Sequence, residues 1–237
     1  MPSLKACSIF FLELTKVYPS LYRFPSSATS LKILWLHSCR TGDVNRLCQF
    51  LTSFRSLSIV TITWDLGHPL GGRDLPHLQF NRSKCSLRTL ALSLEHNLPA
   101  LLKTFIKARP FVSHLRHLIV SYGNCLRTSN SLQDITELLE HCSESLEEVT
   151  VIWGYCSQYP IDSLSCFDHS LRSKVPEKER KLFPDKVGCL DDILSRDMFR
   201  SFRKLRIRAE VTPIGFPKLK ERKVDIDFSG KKDSIPY

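Results

Sequence analysis

Apolar residues recur along this 237-residue chain in one short phrase, Leu-x-x-Leu-x-Leu, whose Leu positions also accept other aliphatic or aromatic residues. Clear copies begin at Leu31, Leu57, Leu87, Leu115, Leu146 and Phe202, and a weaker one begins at Leu4. The five steps from 4 to 146 are 27, 26, 30, 28 and 31 residues, and the last step, from 146 to 202, is 56, or twice 28. Counting the first Leu as position 0, positions 3 and 5 lie two apart, so their side chains share one face of a short strand. Position 7 continues that inward phase. It holds Phe11, Trp64, Leu94, Tyr122 and Trp153, with Ser38 and Ala209 as small exceptions. Trp64 and Trp153 are therefore expected in the core.

A different period fills the gaps. After the copy at 31, Thr41-Gly-Asp43 offers helix caps, and Val44, Leu47, Leu51 and Phe54 follow at helical spacing. Leu98, Leu101, Leu102, Phe105 and Ile106 form a second stripe that ends at Pro110. Ser131-Leu-Gln-Asp134 has the form of a capping box ahead of Ile135, Leu138 and Leu139, and Leu190, Ile193 and Leu194 suggest a last helix. Phe54 and Phe111, just before the next phrases, are expected to wedge the helix-to-strand turns. Residues 65–86, rich in Gly and Pro, read as an irregular crossover, and 155–186 as an eroded repeat or inserted loop. Val224-Asp-Ile226-Asp-Phe228 alternates as a closing strand, and 229–237 reads as a disordered tail. Strands fed by crossovers at a period near 28 predict an α/β fold: a leucine-rich-repeat-like solenoid spanning 1–237, with a curved parallel sheet and the helices and loops on its convex side.

The bulk composition narrows this only a little. A hydrophobic fraction of 42% supplies a continuous core, and no apolar run nears the roughly 20 residues that span a bilayer. Ile9-Phe10-Phe11-Leu12 stops at Glu13, too short for a signal peptide, so the nine scattered cysteines read as reduced, buried thiols of a cytoplasmic or nuclear protein. The net charge of +10 sits mostly in residues 170–237, which hold 18 Lys/Arg against 11 Asp/Glu. Those basic residues are interleaved with acids such as Glu177, Glu179, Asp191 and Asp192, which favours a solvated end over a phosphate-binding field. Lys178–Lys181 and Lys218–Lys223 are the candidate nuclear-import clusters.

Even positions of each phrase point away from the core and form the candidate binding face. Ile33, Trp35 and His37 lead it, His117, Ile119 and Glu148 occupy its middle, and Lys204, Arg206 and Arg208 make its last strand wholly cationic. Trp35 is the expected anchor, and the last strand the expected contact for an acidic segment. No nucleophile elbow, phosphate loop or dinucleotide fingerprint appears, and the close Cys/His pairs, His37-Ser-Cys39 and Cys166-Phe-Asp-His169, lack zinc-site spacing. Cys39 instead falls where leucine-rich repeats place Asn or Cys at the turn. No catalytic residue, metal or cofactor is expected.

Repeats opening Ser-Leu, followed by Leu190-Asp-Asp-Ile-Leu194-Ser-Arg-Asp-Met-Phe199-Arg-Ser-Phe202-Arg-Lys-Leu205-Arg-Ile207, resemble the C-terminal half of fungal F-box proteins over roughly residues 28–228. Phe202 stands where that closing block commonly has Leu. The resemblance implies a leucine-rich-repeat-like substrate-recognition domain, as in the receptors of ubiquitin ligases; with the readings above, the chain is expected to be a non-enzymatic monomer that binds a protein and neither a membrane nor nucleic acid. The F-box motif itself is not present in 1–237, so a ligase-adaptor role is expected only for a longer product. The alternatives are a basic scaffold that meets nucleic acid or acidic proteins through the C-terminal third, and a fragment whose N-terminal repeat is left open.

Overall fold

A computed structural model describes residues 4–10, 28–39, 47, 50–51, 53–64, 87–94, 105–106, 112–122, 131–153, 188–208 and 215–228. Each copy of the phrase forms a strand: β1 (Ala6–Phe10), β2 (Ile33–Cys39), β3 (Ile59–Trp64), β4 (Thr89–Leu94), β5 (His117–Tyr122), β6 (Glu148–Trp153) and β7 (Lys204–Arg208). The terminal alternation forms β8 (Asp225–Asp227). All eight lie in one parallel sheet in sequence order, and the sheet does not close on itself. This is an α/β arrangement whose strand order is consistent with a solenoid.

Register follows the phrase position by position. Position 3 aligns Leu34, Val60, Leu90, Leu118, Val149 and Leu205 across six strands. The exception is β2, where an irregularity between Leu36 and Cys39 sets Cys39, one residue later than the phrase predicts, opposite Trp64. Positions 0, 3 and 5 make the core. Every one of them from Leu31 to Ile207 is at most 5% exposed. Burying an aliphatic side chain of this size contributes roughly 1.5–3 kcal/mol, so each repeat supplies several such increments.

Two features beyond the hydrophobic phrase lock one repeat to the next. The carbonyl at position 1 accepts two N–H groups from the following repeat. Lys5, Lys32, Ser58, Arg88, Arg116 and Glu147 each do so, at 2.8–3.1 Å. The serine before the phrase is a staple between turns. Ser56, Ser145 and Ser201 donate their hydroxyls to the carbonyls of Thr29, Ser113 and Glu144, each at position −2 of the preceding repeat. Ser30 donates instead to the carbonyl of Leu4, position 0 of the first copy, at 3.3 Å. The Ser-Leu opening thus satisfies turn carbonyls that no strand can reach.

Helices cover the core where they are described. α1 spans Ser131–His141, starting where the capping sequence predicts, and buries Ile135, Leu138 and Leu139. α2 covers 188–194 and buries Leu190, Ile193 and Leu194. α3 spans Pro217–Glu221, with Pro at its first turn. Helical backbone also occurs at Leu47, Phe50 and Leu51 and at Phe105 and Ile106, all buried. Phe50 meets Phe54 edge-on, ring centres 5.2 Å apart. Phe54 does wedge its turn. In the equivalent turns that place belongs to Ala28, Val112, Ser143 and Phe199, all buried. Outside the described residues lie the caps at 41–43, the crossover 65–86, Leu98–Leu102, Phe111, the segment 155–186, the tail 229–237 and the side chains of Trp64, Leu94, Tyr122 and Trp153.

The C-terminal end is interlocked. Asp191 of α2, 6% exposed, accepts the backbone N–H groups of Lys218 (3.1 Å) and Leu219 (2.9 Å). A carboxylate thereby satisfies the orphan donors of α3's first turn. In return, Arg222 beyond α3 donates to the carbonyls of Leu194 (2.7 Å), Arg196 (3.0 Å) and Phe199 (2.8 Å) at the end of α2. Each helix end is completed by the other's side chain.

Candidate functional site

The even positions form two continuous rows across the sheet, one residue per strand. Position 2 runs Ala6, Ile33, Ile59, Thr89, His117, Glu148, Lys204, Asp225, and position 4 runs Ser8, Trp35, Thr61, Ala91, Ile119, Thr150, Arg206, Asp227. Strand spacing of about 4.8 Å fixes the distances between neighbours. Ile33, Trp35, His117, Ile119, Glu148, Lys204, Arg206 and Arg208 are all partly exposed. His37 sits on β2 opposite Phe10, and its side chain lies outside the described residues.

These residues do not make one cluster. Ile33 and Trp35 stand together on β2. His117 and Ile119 stand on β5, three strands and about 14 Å away, beside Glu148 and the β7 cations. Between the groups lies a low floor made by other even positions of the same face. Thr61 and Ala91 are 6% and 5% exposed although they occupy even positions, in the same row as Trp35 and Ile119. Thr150 and Ile152 on β6 are equally sunken, at 5% and 6%. The face is thus a shallow apolar step bounded by Trp35 on one side and Ile119 on the other.

The wholly cationic strand β7 is answered on both sides. Lys204 Nζ lies 2.9 Å from the Asp225 carboxylate on β8, and Arg206 Nε lies 2.8 Å from Glu148 Oε1 on β6. The latter N–H is not aligned on its acceptor, so charge attraction rather than a directed hydrogen bond holds that pair. Position 2 therefore alternates sign from Glu148 through Lys204 to Asp225. The alternation in Val224–Phe228 carried this information, since β8 is in register with β7 and its Asp225 and Asp227 share the even face.

Other candidate chemistry resolves into structure. Lys218 of the second basic cluster pairs with Asp192 at 2.5 Å, and that hydrogen bond, with the attraction of the same carboxylate, raises its ammonium pKa above the ordinary value. Arg222 of the same cluster is engaged at the end of α2. Of the described cysteines, Cys142 is buried, Cys7 half-buried and Cys189 exposed, so buried thiols describe only part of the set. Burial pushes the Cys142 thiol up to about 12, and burial also raises Cys7. Among the described residues no group of His, Cys, Asp or Glu is placed to hold a metal ion, and no helix is long and apolar enough to cross a membrane. A scan against family models finds no match, and a search of curated proteins finds no relative.

Proposed function

We propose that this chain is a leucine-rich-repeat-type solenoid that binds a protein partner across the even face of its sheet, with no catalytic role, in the manner of the substrate-recognition repeats of fungal F-box proteins. The observation supporting it is the face itself: partly exposed Ile33, Trp35 and Ile119 around a sunken floor of Thr61 and Ala91. Large aromatic and aliphatic residues beside shallow depressions are what buried interface anchors use. Recruitment to a ubiquitin ligase belongs, in this reading, to a product that also carries an F-box. The charges paired at Lys204, Arg206 and Lys218 weigh against the alternative of a basic scaffold built on the C-terminal third.

Photo-crosslinking tests the proposal. A photoreactive residue at Ile119 should crosslink one discrete protein from fungal extract, and Trp35→Ala should abolish that product. The same probe at Glu137, exposed on α1, should not yield it. Equal products from Ile119 and Glu137, or indifference to Trp35→Ala, would sink it.

A further inference from the structure

A second charged surface runs along the N-terminal ends of the strands, apart from the even face. Position 1 of each repeat stacks directly on position 1 of the next, because the doubly accepting carbonyls link Lys5 to Lys32, Lys32 to Ser58, Ser58 to Arg88, Arg88 to Arg116, Arg116 to Glu147 and Glu147 to Arg203. The serine staples stack position −2 in the same way and set Arg55 and Arg200 beside this row. Over β1–β7 the described residues of these two positions hold seven Lys/Arg against Glu144 and Glu147, and all seven cations are exposed. Only Arg116 has a described acidic partner, Glu147 at 3.2 Å. Like charges facing each other across adjacent strands destabilise a sheet. Lys5 with Lys32, and Arg88 with Arg116, are such neighbours, whereas the even face of β6–β8 alternates its signs.

We propose that this rim is a docking edge for an acidic protein segment, a run of Asp or Glu lying across the strand ends. Seven levels at about 4.8 Å make an edge of about 29 Å, and an extended segment at about 3.3 Å per residue covers it with about nine residues. Carboxylates placed between the stacked cations relieve their repulsion, and the guanidinium groups of Arg88, Arg116 and Arg203 donate to them in two-pronged fashion. A protein segment fits better than nucleic acid for two reasons. The exposed large apolar residues described are Leu4 and Met198, neither of them a base-stacking aromatic. Glu144 and Glu147 also interrupt the edge, which repels a continuous phosphate chain more than a segment with separated acids.

Fluorescence anisotropy with a labelled nine-glutamate peptide tests this on the full chain. Binding is expected at about 0.05 M salt and should fall steeply towards about 0.5 M. A four-glutamate peptide should bind much more weakly. Lys32→Glu, Arg88→Glu and Arg203→Glu combined should lower affinity roughly tenfold or more, with an unchanged circular dichroism spectrum. If that variant misfolds, the same three changes to Gln should still weaken binding. No binding at low salt, unchanged affinity in the folded variant, or tighter binding of a thymidine oligonucleotide of equal charge would overturn the proposal.

Discussion

Two charged regions of this molecule obey opposite rules. At the C-terminal end Asp191 holds the start of α3, Arg222 holds the end of α2, and Lys204 and Arg206 each have a carboxylate on a neighbouring strand. Along the rim, Lys5 stacks on Lys32 and Arg88 on Arg116, and six of the seven exposed cations have no described acidic partner. The first region has the pattern of charges that finish a fold. In the second, charge is left over after folding is complete. Net charge does not distinguish them: of the rim's seven described cations only Arg116 has an acidic partner, whereas Lys204, Arg206 and Lys218 each have one.

The sharpest way to break this contrast is at Asp191. Asp191→Ala leaves two N–H groups of α3 without their acceptor in a buried setting, at about 1–3 kcal/mol for each unsatisfied group. Chemical denaturation should show a loss of about 2–4 kcal/mol, and Asp191→Asn a smaller one. If Asp191→Ala is as stable as the parent, the interlock does not close the C-terminal end. Arg222→Met should follow at about 2 kcal/mol, since three carbonyls lose a charged donor while the aliphatic packing is retained. Arg222→Lys should recover only part, because an ammonium lacks the planar fork that reaches Leu194 and Phe199 together.

Ionising Cys142 would add the third case, a charge with neither partner nor solvent. Its thiol lies within hydrogen-bonding distance of the Leu138 and Leu139 carbonyls, and burial raises its pKa from 9.0 to about 12. An acid whose folded pKa is raised gives stability that is complete below the unfolded value and lost as pH climbs towards the folded one. Stability should therefore fall between about pH 9 and 12, by up to about 1.4 kcal/mol per pH unit from this group. Cys142→Ala should flatten that part of the profile. An identical slope in Cys142→Ala would assign it to other groups.

Much of the sheet was legible because position 0, 3 and 5 residues such as Leu34, Val60 and Leu118 are apolar in nearly every copy, and a period of two on strands leaves no other phase. β8 was legible from Val224, Ile226 and Phe228 for the same reason. The face was read only in halves. Its members follow from alternation, but alternation does not say which of them are exposed: Thr61 and Ala91 are buried where Trp35 and Ile119 in the same row are not. The pairing of Glu148 with Arg206 spans 58 residues of chain and depends on strand order. Asp191 looked like one more surface acid because its partners are backbone N–H groups, which no side-chain pattern advertises. The rim escaped notice through dilution: its seven cations are spread from Lys5 to Arg203 and form no cluster until the repeats stack. The β2 irregularity has no sequence signal beyond the small Ser38 at position 7.

Glu148→Lys tests the neutralised face directly. It sets a third cation beside Lys204 and Arg206, and should cost about 1 kcal/mol at low salt, with Arg206→Glu in the same chain restoring part of it as a charge-swapped pair. Additive losses in the double variant would show that the two side chains do not interact.

The smallest effect is the most discriminating. Lys32→Glu converts a like-charged neighbour of Lys5 into an opposite one at an exposed position, without touching a core residue or a staple. Exposed pairs contribute roughly 0.2–1 kcal/mol, so this variant should gain a few tenths of a kcal/mol in low salt. The gain should vanish near 1 M salt, where screening acts within about 3 Å. Removing a cation from the even face, as in Lys204→Gln, should instead lose stability under the same conditions. A rim held only for solubility predicts the same gain with no change in capture of the acidic peptide. A rim kept cationic against its own stability predicts the gain, together with weaker capture of the acidic peptide. Measuring both quantities on one variant separates a surface that folding needs from a surface that binding needs.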